Sequence, residues 1–261
     1  MLAPSKLPEH YGVWNGRHGA PFGHTRPNRR LLRRFYSDQA WRKLRGPFSI
    51  QGNSATREFE YPWAFHVAEL GTRRRIVEIG GSLSGFQFVL SQEGHEVVNV
   101  DPGLDAAGLG WPSDQASMRE LNALFGTNVV LKSSTIGKAD LPDASYDLFF
   151  SISVLEHLPE ADVREVMEHA WRCLKPGGRF VLTVDLFLNL EPFTKRTSNE
   201  YGRNIDVRQM IESSKLRLLV GERSQLFGYP EFSTEPILAN LETYLVGAYP
   251  VLTQCMVLQK P

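Results

Sequence analysis

The sequence predicts an α/β protein: a seven-stranded, mostly parallel sheet with helices on both faces, preceded by an N-terminal helical and irregular arm. Three observations carry this prediction. After residue 72, short apolar runs alternate with amphipathic helical stretches, the pattern of strands joined by crossover helices. The first of those runs, Arg75 to Ile79, passes directly into a glycine-rich turn, Gly80-Gly81-Ser82-Leu83-Ser84-Gly85. The chain also has 261 residues, 42% of them hydrophobic, enough to bury one large core.

The expected strands are Arg75 to Ile79, Glu96 to Val100, Asn128 to Lys132, Tyr146 to Ser151, Arg179 to Asp185, Leu216 to Val220 and Gln254 to Gln259. The clearest helix lies between the fourth and fifth. Val163, Val166, Met167, Ala170, Trp171 and Leu174 recur at three- and four-residue spacing, opposite Arg164, Glu165, Glu168 and Arg172, before Pro176-Gly177-Gly178 ends the segment. Upstream, residues 1–71 read as an arm with lid helices, and residues 72–261 as the sheet domain. Within the arm, Pro4, Pro8, Pro21 and Pro27 break residues 1–30, although Tyr11, Trp14 and Phe22 suggest that this stretch docks. Leu31 to Leu44 is expected to be helical, with Leu31, Leu32, Phe35, Tyr36 and Trp41 on one stripe. A shorter helix is expected over Tyr61 to Leu70.

Charge is balanced overall but not locally. Lys plus Arg and Asp plus Glu are each 29, while residues 1–60 hold 11 basic and 4 acidic residues, a net of +7 against −7 for the rest. This favours docking of the arm on the sheet domain. The Arg29 to Arg45 run reads as a solvated helix face rather than a nucleic-acid contact, because no glycine-aromatic RNA motif accompanies it. Cys173 and Cys255, the two cysteines, stand in separate apolar contexts without metal-ligand spacing, so no metal site is expected and the cytoplasm is the expected compartment. Met1 to His10 lacks the apolar run of a signal peptide, and no apolar stretch approaches the ~18 residues of a membrane span.

Chemistry concentrates where strands end. Glycine lets backbone approach a ligand closely, and the helix start that follows offers free N–H groups. Glu78 ends the first strand and Asp101, followed by Pro102, ends the second, where a carboxylate can accept both hydroxyls of a ribose. These features leave a dinucleotide reading open, since Gly80-x-Ser82-x-x-Gly85 with Asp101 also resembles a degraded nicotinamide fingerprint. Three downstream segments weigh against it: Leu141-Pro142-Asp143-Ala144-Ser145-Tyr146-Asp147, Val154-Leu155-Glu156-His157-Leu158 and Leu174-Lys175-Pro176-Gly177-Gly178. In order and spacing these segments resemble the class I S-adenosylmethionine-dependent methyltransferases, across about residues 72 to 185 and more loosely to Gln259.

That resemblance implies a Rossmann-like fold, S-adenosyl-L-methionine as cofactor and methyl transfer as the activity. It places the methionine portion against Glu78, Gly80, Gly81, Ser82 and Gly85, the ribose at Asp101 and Pro102, and the adenine edge around Ser134 to Gly137, including Ile136. Ser151 and Ser153 would line the methionine tail. Ser82 and Ser84 stand where the family commonly has glycine, which keeps a cofactor-binding protein without methyl transfer among the alternatives, beside an NAD-dependent oxidoreductase. Charge favours a sulfonium over a pyrophosphate, because no Lys or Arg lies between Glu78 and Pro102.

Two titratable groups near the expected transfer point are candidate bases, His157 and Asp185. Each also has a structural reading, as a fixed hydrogen-bonded histidine and as a carboxylate capping the following loop. The acceptor expected is a small molecule methylated on oxygen, nitrogen or carbon, a specialised metabolite or a sugar-containing intermediate, because no separate domain for a macromolecule is visible. The oligomeric state is not legible.

Overall fold

The computed structural model describes residues 1–25, 29–103 and 113–261; Pro27 of the arm lies outside them. Seven strands form one sheet in the order β3-β2-β1-β4-β5-β7-β6. They are β1 (Arg75–Ile79), β2 (Glu96–Val100), β3 (Val130–Lys132), β4 (Tyr146–Ile152), β5 (Leu174–Phe187), β6 (Arg217–Val220) and β7 (Val251–Gln259). Pairing is parallel from β3 through β5, while β7 runs antiparallel to both β5 and β6. The chain builds outward from β1 to β3 and then crosses back to β4. The reversal opens a crevice at the carboxyl ends of β1 and β4, the general position for a ligand in such sheets.

Strand periodicity divides the core. Ile76, Phe150, Val181 and Val257 face one cluster, and their neighbours Val77, Phe149, Leu182 and Leu258 face the other. Helix α7 (Glu160–Cys173) and α8 (Val207–Glu212) cover the second face. The first is covered by α5 (Gly85–Gln92), α6 (Gln115–Phe125) and the N-terminal segment. β5 is longer than the sequence suggests: its ladder with β4 steps from Leu174 to Arg179, so the Pro176-Gly177-Gly178 turn bulges out of a continuing strand.

The arm is more ordered than its proline content implies. Helix α1 (Glu9–His18), absent from the sequence reading, starts after Pro8 and stops at Gly19, whose φ of 72° suits glycine. The single helix expected over Leu31 to Leu44 is broken. Helix α2 (Arg29–Leu32) runs into a one-turn 3₁₀ segment, Arg33–Phe35, and α3 (Asp38–Arg45) begins anew because Ser37 Oγ accepts from Ala40 N at 3.2 Å. Helix α4 (Arg57–Val67) starts one turn earlier than expected and carries Pro62 inside it. Proline has no N–H for the carbonyl four residues back. Asn15 Nδ2 from α1 supplies the missing donor to Glu58 O at 2.7 Å, so the two helices complete each other.

Tyr11, Trp14, Trp41, Phe48 and Phe59 are buried, as the arm's aromatic content predicts, whereas Phe22, Phe35 and Tyr36 stay exposed. Met1 to Ala3 adds alongside β7, with Ala3 N donating to Thr253 O at 2.9 Å and Cys255 N to Met1 O at 2.7 Å. No described helix is long and apolar enough to cross a membrane. Phe48 is the arm's main contact with the glycine turn: its ring packs on Trp14 and Tyr61, and a Cβ on Gly85 would fall 2.5 Å from it. Phe48→Ala is expected to cost ~3–5 kcal/mol through the cavity it leaves, read as a lowered urea midpoint at unchanged slope.

Candidate active site

The turn after β1 is shaped by its own neighbours. Gly80 has φ 66° and donates its N–H to Val100 O at 2.9 Å, and a Cβ there would strike Val154 at 2.6 Å. Asn99 on β2 brackets the turn, accepting from Gly81 N at 3.2 Å and donating to Ser82 O at 2.7 Å. Ser82 itself sits at φ 45°, a backbone position that glycine occupies more readily. Ser84 precedes α5 but spends its hydroxyl on Glu78 Oε1 at 3.0 Å instead of on the helix N-terminus.

Two carboxylates converge on this turn. Asp101 accepts from Ser82 N at 2.8 Å, Gly103 N at 2.6 Å and Ser113 Oγ at 3.0 Å, and the half-buried Pro102 follows it. Glu78 is buried, and its Oε2 has no hydrogen-bond partner among the described residues. Burial pushes its carboxyl up to about 8, opposed by the Ser84 hydrogen bond and assisted by the nearby charge of Asp101.

A second cluster occupies the carboxyl ends of β4 and β5. Ser153 leaves β4 at φ 46°, and its Oγ lies 2.6 Å from Glu60 Oε1 and 3.1 Å from Asp185 Oδ1. Thr183 Oγ1 donates to the same Glu60 oxygen at 2.6 Å. Arg57, one turn before Glu60 on α4, bonds Glu60 Oε2 and donates to Ser153 Oγ at 2.9 Å. Asp185 N donates to Glu156 Oε1 at 3.2 Å, and Tyr249 Oη lies 3.5 Å from Asp185 Oδ2. Burial works against the Glu60 charge, but Arg57 and the two hydroxyls outweigh it and hold the carboxyl below its ordinary value. Asp185 moves the other way: burial, then the charges of Glu156 and Glu60, raise it well above the ordinary aspartate range. Burial likewise brings Glu156 to about 7.

Ser153 Oγ thus stands between two carboxyls of opposite tendency, Glu60, held below its ordinary value, and Asp185, raised above its own.

Of the residues named from sequence, Glu78, Gly80, Gly81, Ser82, Gly85, Asp101 and Pro102 fall together at the turn, and Ser153 meets Asp185 across β4 and β5. Ser151 is buried on the opposite face of β4, its Oγ without a partner among the described residues. Ile136 opens a one-turn 3₁₀ segment after β3, with its side chain in the core cluster that α7 covers. His157 is partly buried, with Nδ1 against the Tyr201 carbonyl and Nε2 3.9 Å from Glu156 Oε1. Sequence reasoning missed Arg57, Glu60, Glu156 as a carboxylate, and Tyr249. The legible signal was Arg57-x-x-Glu60, two charges one turn apart at the start of a helix that also buries Phe59, Tyr61, Pro62, Trp63 and Ala64. No group of three or more His, Cys, Asp or Glu among the described residues is arranged to hold a metal ion.

Residues 77–182 match the family model described as a methyltransferase domain. No curated protein matches the chain in sequence. Three solved structures illustrate the likeness in fold. The 1,6-didemethyltoxoflavin-N1-methyltransferase of Burkholderia thailandensis, with bound 1,6-didemethyltoxoflavin and S-adenosylhomocysteine, is 16% identical; the match covers 99% of this chain and 94% of that one at a TM-score of 0.51. An S-adenosylmethionine-dependent methyltransferase of Mesorhizobium loti is 18% identical over 77% of this chain and 97% of its own, also at 0.51. The cyclase SpnF is 17% identical over 92% and 98%, at 0.52. The matched stretch and the seven-stranded Rossmann-like sheet liken this chain to the class I S-adenosylmethionine-dependent methyltransferases, with residues 77–182 as the methyltransferase-like domain. The residues at the turn fit that cofactor: a glycine-shaped approach, two carboxylates, an orphaned Glu78 oxygen and no phosphate-binding cation between Glu78 and Pro102.

Glu78 has a measurable consequence. Its folded pKa lies above the ordinary glutamate value of ~4.3, so the folded state holds the proton longer, and this contribution to stability is lost as pH rises from about 4 towards 8. Glu78→Gln removes the penalty. The melting temperature of the variant minus that of wild type is expected to grow by ~2 °C or more between pH 5 and pH 8, by calorimetry on both proteins.

Proposed function

We propose that the protein transfers the methyl group of S-adenosylmethionine to a small-molecule oxygen, nitrogen or carbon, in a specialised metabolite or sugar-containing intermediate, and acts in the cytoplasm. One observation carries this reading: Glu78, Asp101 and the glycine turn meet at the crevice between β1 and β4, with Ser153 and Asp185 at the carboxyl ends of the next strands. When bound, the cofactor supplies a methyl group already activated by the sulfonium charge. The chain's own residues orient and desolvate. In this reading Asp101 and Pro102 hold the ribose, and Gly80, Gly81, Ser82 and Gly85 with Glu78 hold the methionine portion. Ser151, Ser153 and the backbone near Ile136 complete the cofactor contacts. Asp185, within hydrogen-bond distance of Ser153 at the strand ends, is the better placed base in its ionised form; His157, tied to the Tyr201 carbonyl, flanks it.

A second reading, a cofactor-binding protein without methyl transfer, draws on Asp101: three protein donors already occupy a carboxylate with about four acceptor positions. Binding of a ribose diol must displace at least one of them, and Ser113 Oγ is the side-chain donor among the three.

Asp101→Ala is expected to weaken S-adenosylhomocysteine binding ~10 to 150-fold, the equivalent of charged hydrogen bonds worth ~1.5–3 kcal/mol, measured by titration calorimetry. Unchanged affinity removes Asp101 from the site, and a larger thermal shift with NAD than with S-adenosylmethionine sinks the reading altogether.

We read residues 1–71 as an arm and lid over the acceptor side of residues 72–261. Support comes from α4, which delivers Arg57 and Glu60 to Ser153, and from Gln51, whose Oε1 accepts from Leu83 N at 3.2 Å. Closure predicts that backbone amides of residues 38–51 exchange at least threefold more slowly once S-adenosylhomocysteine is bound. Equal exchange rates with and without it make the arm a fixed wall.

A further inference from the structure

Three carboxylates, Glu60, Glu156 and Asp185, surround one guanidinium, Arg57, at the carboxyl ends of β4 and β5, and Arg57 is already committed to Glu60. An ion pair that only welded α4 to the sheet would need one acid, not three. Two further polar atoms here are buried without a partner among the described residues: Glu156 Oε2, and Oγ1 of Thr253, which stands opposite Asp185 in the β5–β7 ladder. The cluster therefore holds acceptor capacity that the protein leaves unused.

An aromatic stack leads outward from it. Tyr249, whose hydroxyl faces Asp185, stacks on Tyr201 with ring centroids 4.5 Å apart and 12° between planes, and Tyr201 is 38% exposed. Tyr201 lies in the polar stretch after β5. Carboxylates beside a phenol hydroxyl, with acceptor capacity left unused, are surroundings that favour a cation through charge-assisted hydrogen bonds.

We propose that the Glu156–Asp185 pair, beneath the Tyr201–Tyr249 stack, is the recognition floor for a cationic acceptor, a protonated amine. The proposal rests on the methyl-transfer reading and specifies its acceptor class. An anionic acceptor meets surplus carboxylates and an Arg57 already committed to Glu60, and a neutral one gives Asp185 and Glu156 no counter-charge. An ammonium lets both give up their protons against a counter-charge. In the transfer step the ammonium gives one proton to the ionised Asp185 carboxylate, which frees the nitrogen lone pair. The lone pair forms the new N–C bond to the methyl carbon as the C–S bond breaks and its electron pair stays on sulfur. The products are a methylammonium and the neutral thioether. The groups facing Asp185 are Arg57 and Glu60 from α4, Glu156 and His157 after β4, Tyr249 before β7, and the buried Cys255 thiol on β7.

The test uses the full chain saturated with S-adenosylhomocysteine, titrated with benzylamine and with its neutral counterpart benzyl alcohol at pH 6.5, in two buffers of different ionisation enthalpy. The amine is expected to bind at least tenfold more tightly than the alcohol and to release protons, seen as a buffer-dependent heat. Asp185→Asn and Glu156→Gln should each lower the preference at least fivefold and reduce the proton release. If Asp185→Asn does not fold by circular dichroism, Tyr249→Phe replaces it, with the same loss of preference expected at smaller size. Equal affinity for the two probes, or a preference and proton release that survive the substitutions, overturns the proposal and leaves the cluster a structural weld. Failure of S-adenosylhomocysteine to bind is a separate result: it overturns the methyl-transfer reading and this proposal with it.

Discussion

Glu60 has no exposed surface, and yet three donors from three elements meet its carboxylate: Arg57 from its own helix, Ser153 from the end of β4 and Thr183 from β5. Removing a charge from water costs several kcal/mol, and only a full set of partners offsets it. The requirement is geometric. α4 must sit where its first turn reaches two strand ends, and β4 must turn into the left-handed region at Ser153 to present the hydroxyl. Breaking such a pair commonly costs ~3–5 kcal/mol, because the partner left behind is an uncompensated buried charge.

The same constraint couples the arm to the crevice. α4 is positioned on its other side by α1, through Asn15 and its bond to the carbonyl that Pro62 leaves unpaired, and by the ring contact of Tyr11 with Phe59. α1 in turn reaches α5 through Trp14, which packs on Phe86 and Phe48. Phe48 then presses on Gly85 at the start of α5. The glycine turn and the carboxylate cluster, separated in sequence, are thus parts of one packed body. A shift of the arm displaces both. The electrostatics of the two places are nonetheless distinct: at the turn a single buried acid, Glu78, is held near neutrality by desolvation, whereas the cluster sorts its acids into an ionised Glu60 and raised Asp185 and Glu156.

Much of the parallel sheet was legible because its signals are local. Buried parallel strands read as short apolar runs, and the bounds of β1 and β2 follow from Arg75-Ile76-Val77-Glu78-Ile79 and Glu96-Val97-Val98-Asn99-Val100 alone. β5 ran past its expected end to Phe187, and β7 began earlier, at Val251, because their antiparallel pairing continues to Phe187 with Val251, while Leu174 joins β5 through its ladder with β4. The helix expected over Leu31 to Leu44 failed for a local reason that was present in the sequence: Ser37 is a cap, and a cap inside an apolar stripe ends one helix and starts another. α1 was hidden by the prolines around it, and its stability comes from burying Tyr11 and Trp14, which is a tertiary effect.

The sequence by itself determined the succession of the seven strands, the acidic residues at the ends of β1 and β2, and the glycine turn between them, since backbone freedom and hydrophobic period are properties of neighbouring residues. Tertiary structure alone decided that Arg57 and Glu60 would stand beside Ser153 and Asp185. Residues 93 and more apart in the chain share those hydrogen bonds, and no local pattern encodes such a distance. It also decided which acids keep their protons. A carboxyl's charge depends on the water it loses and the partners it gains, and both are set only when α4 closes over the strand ends.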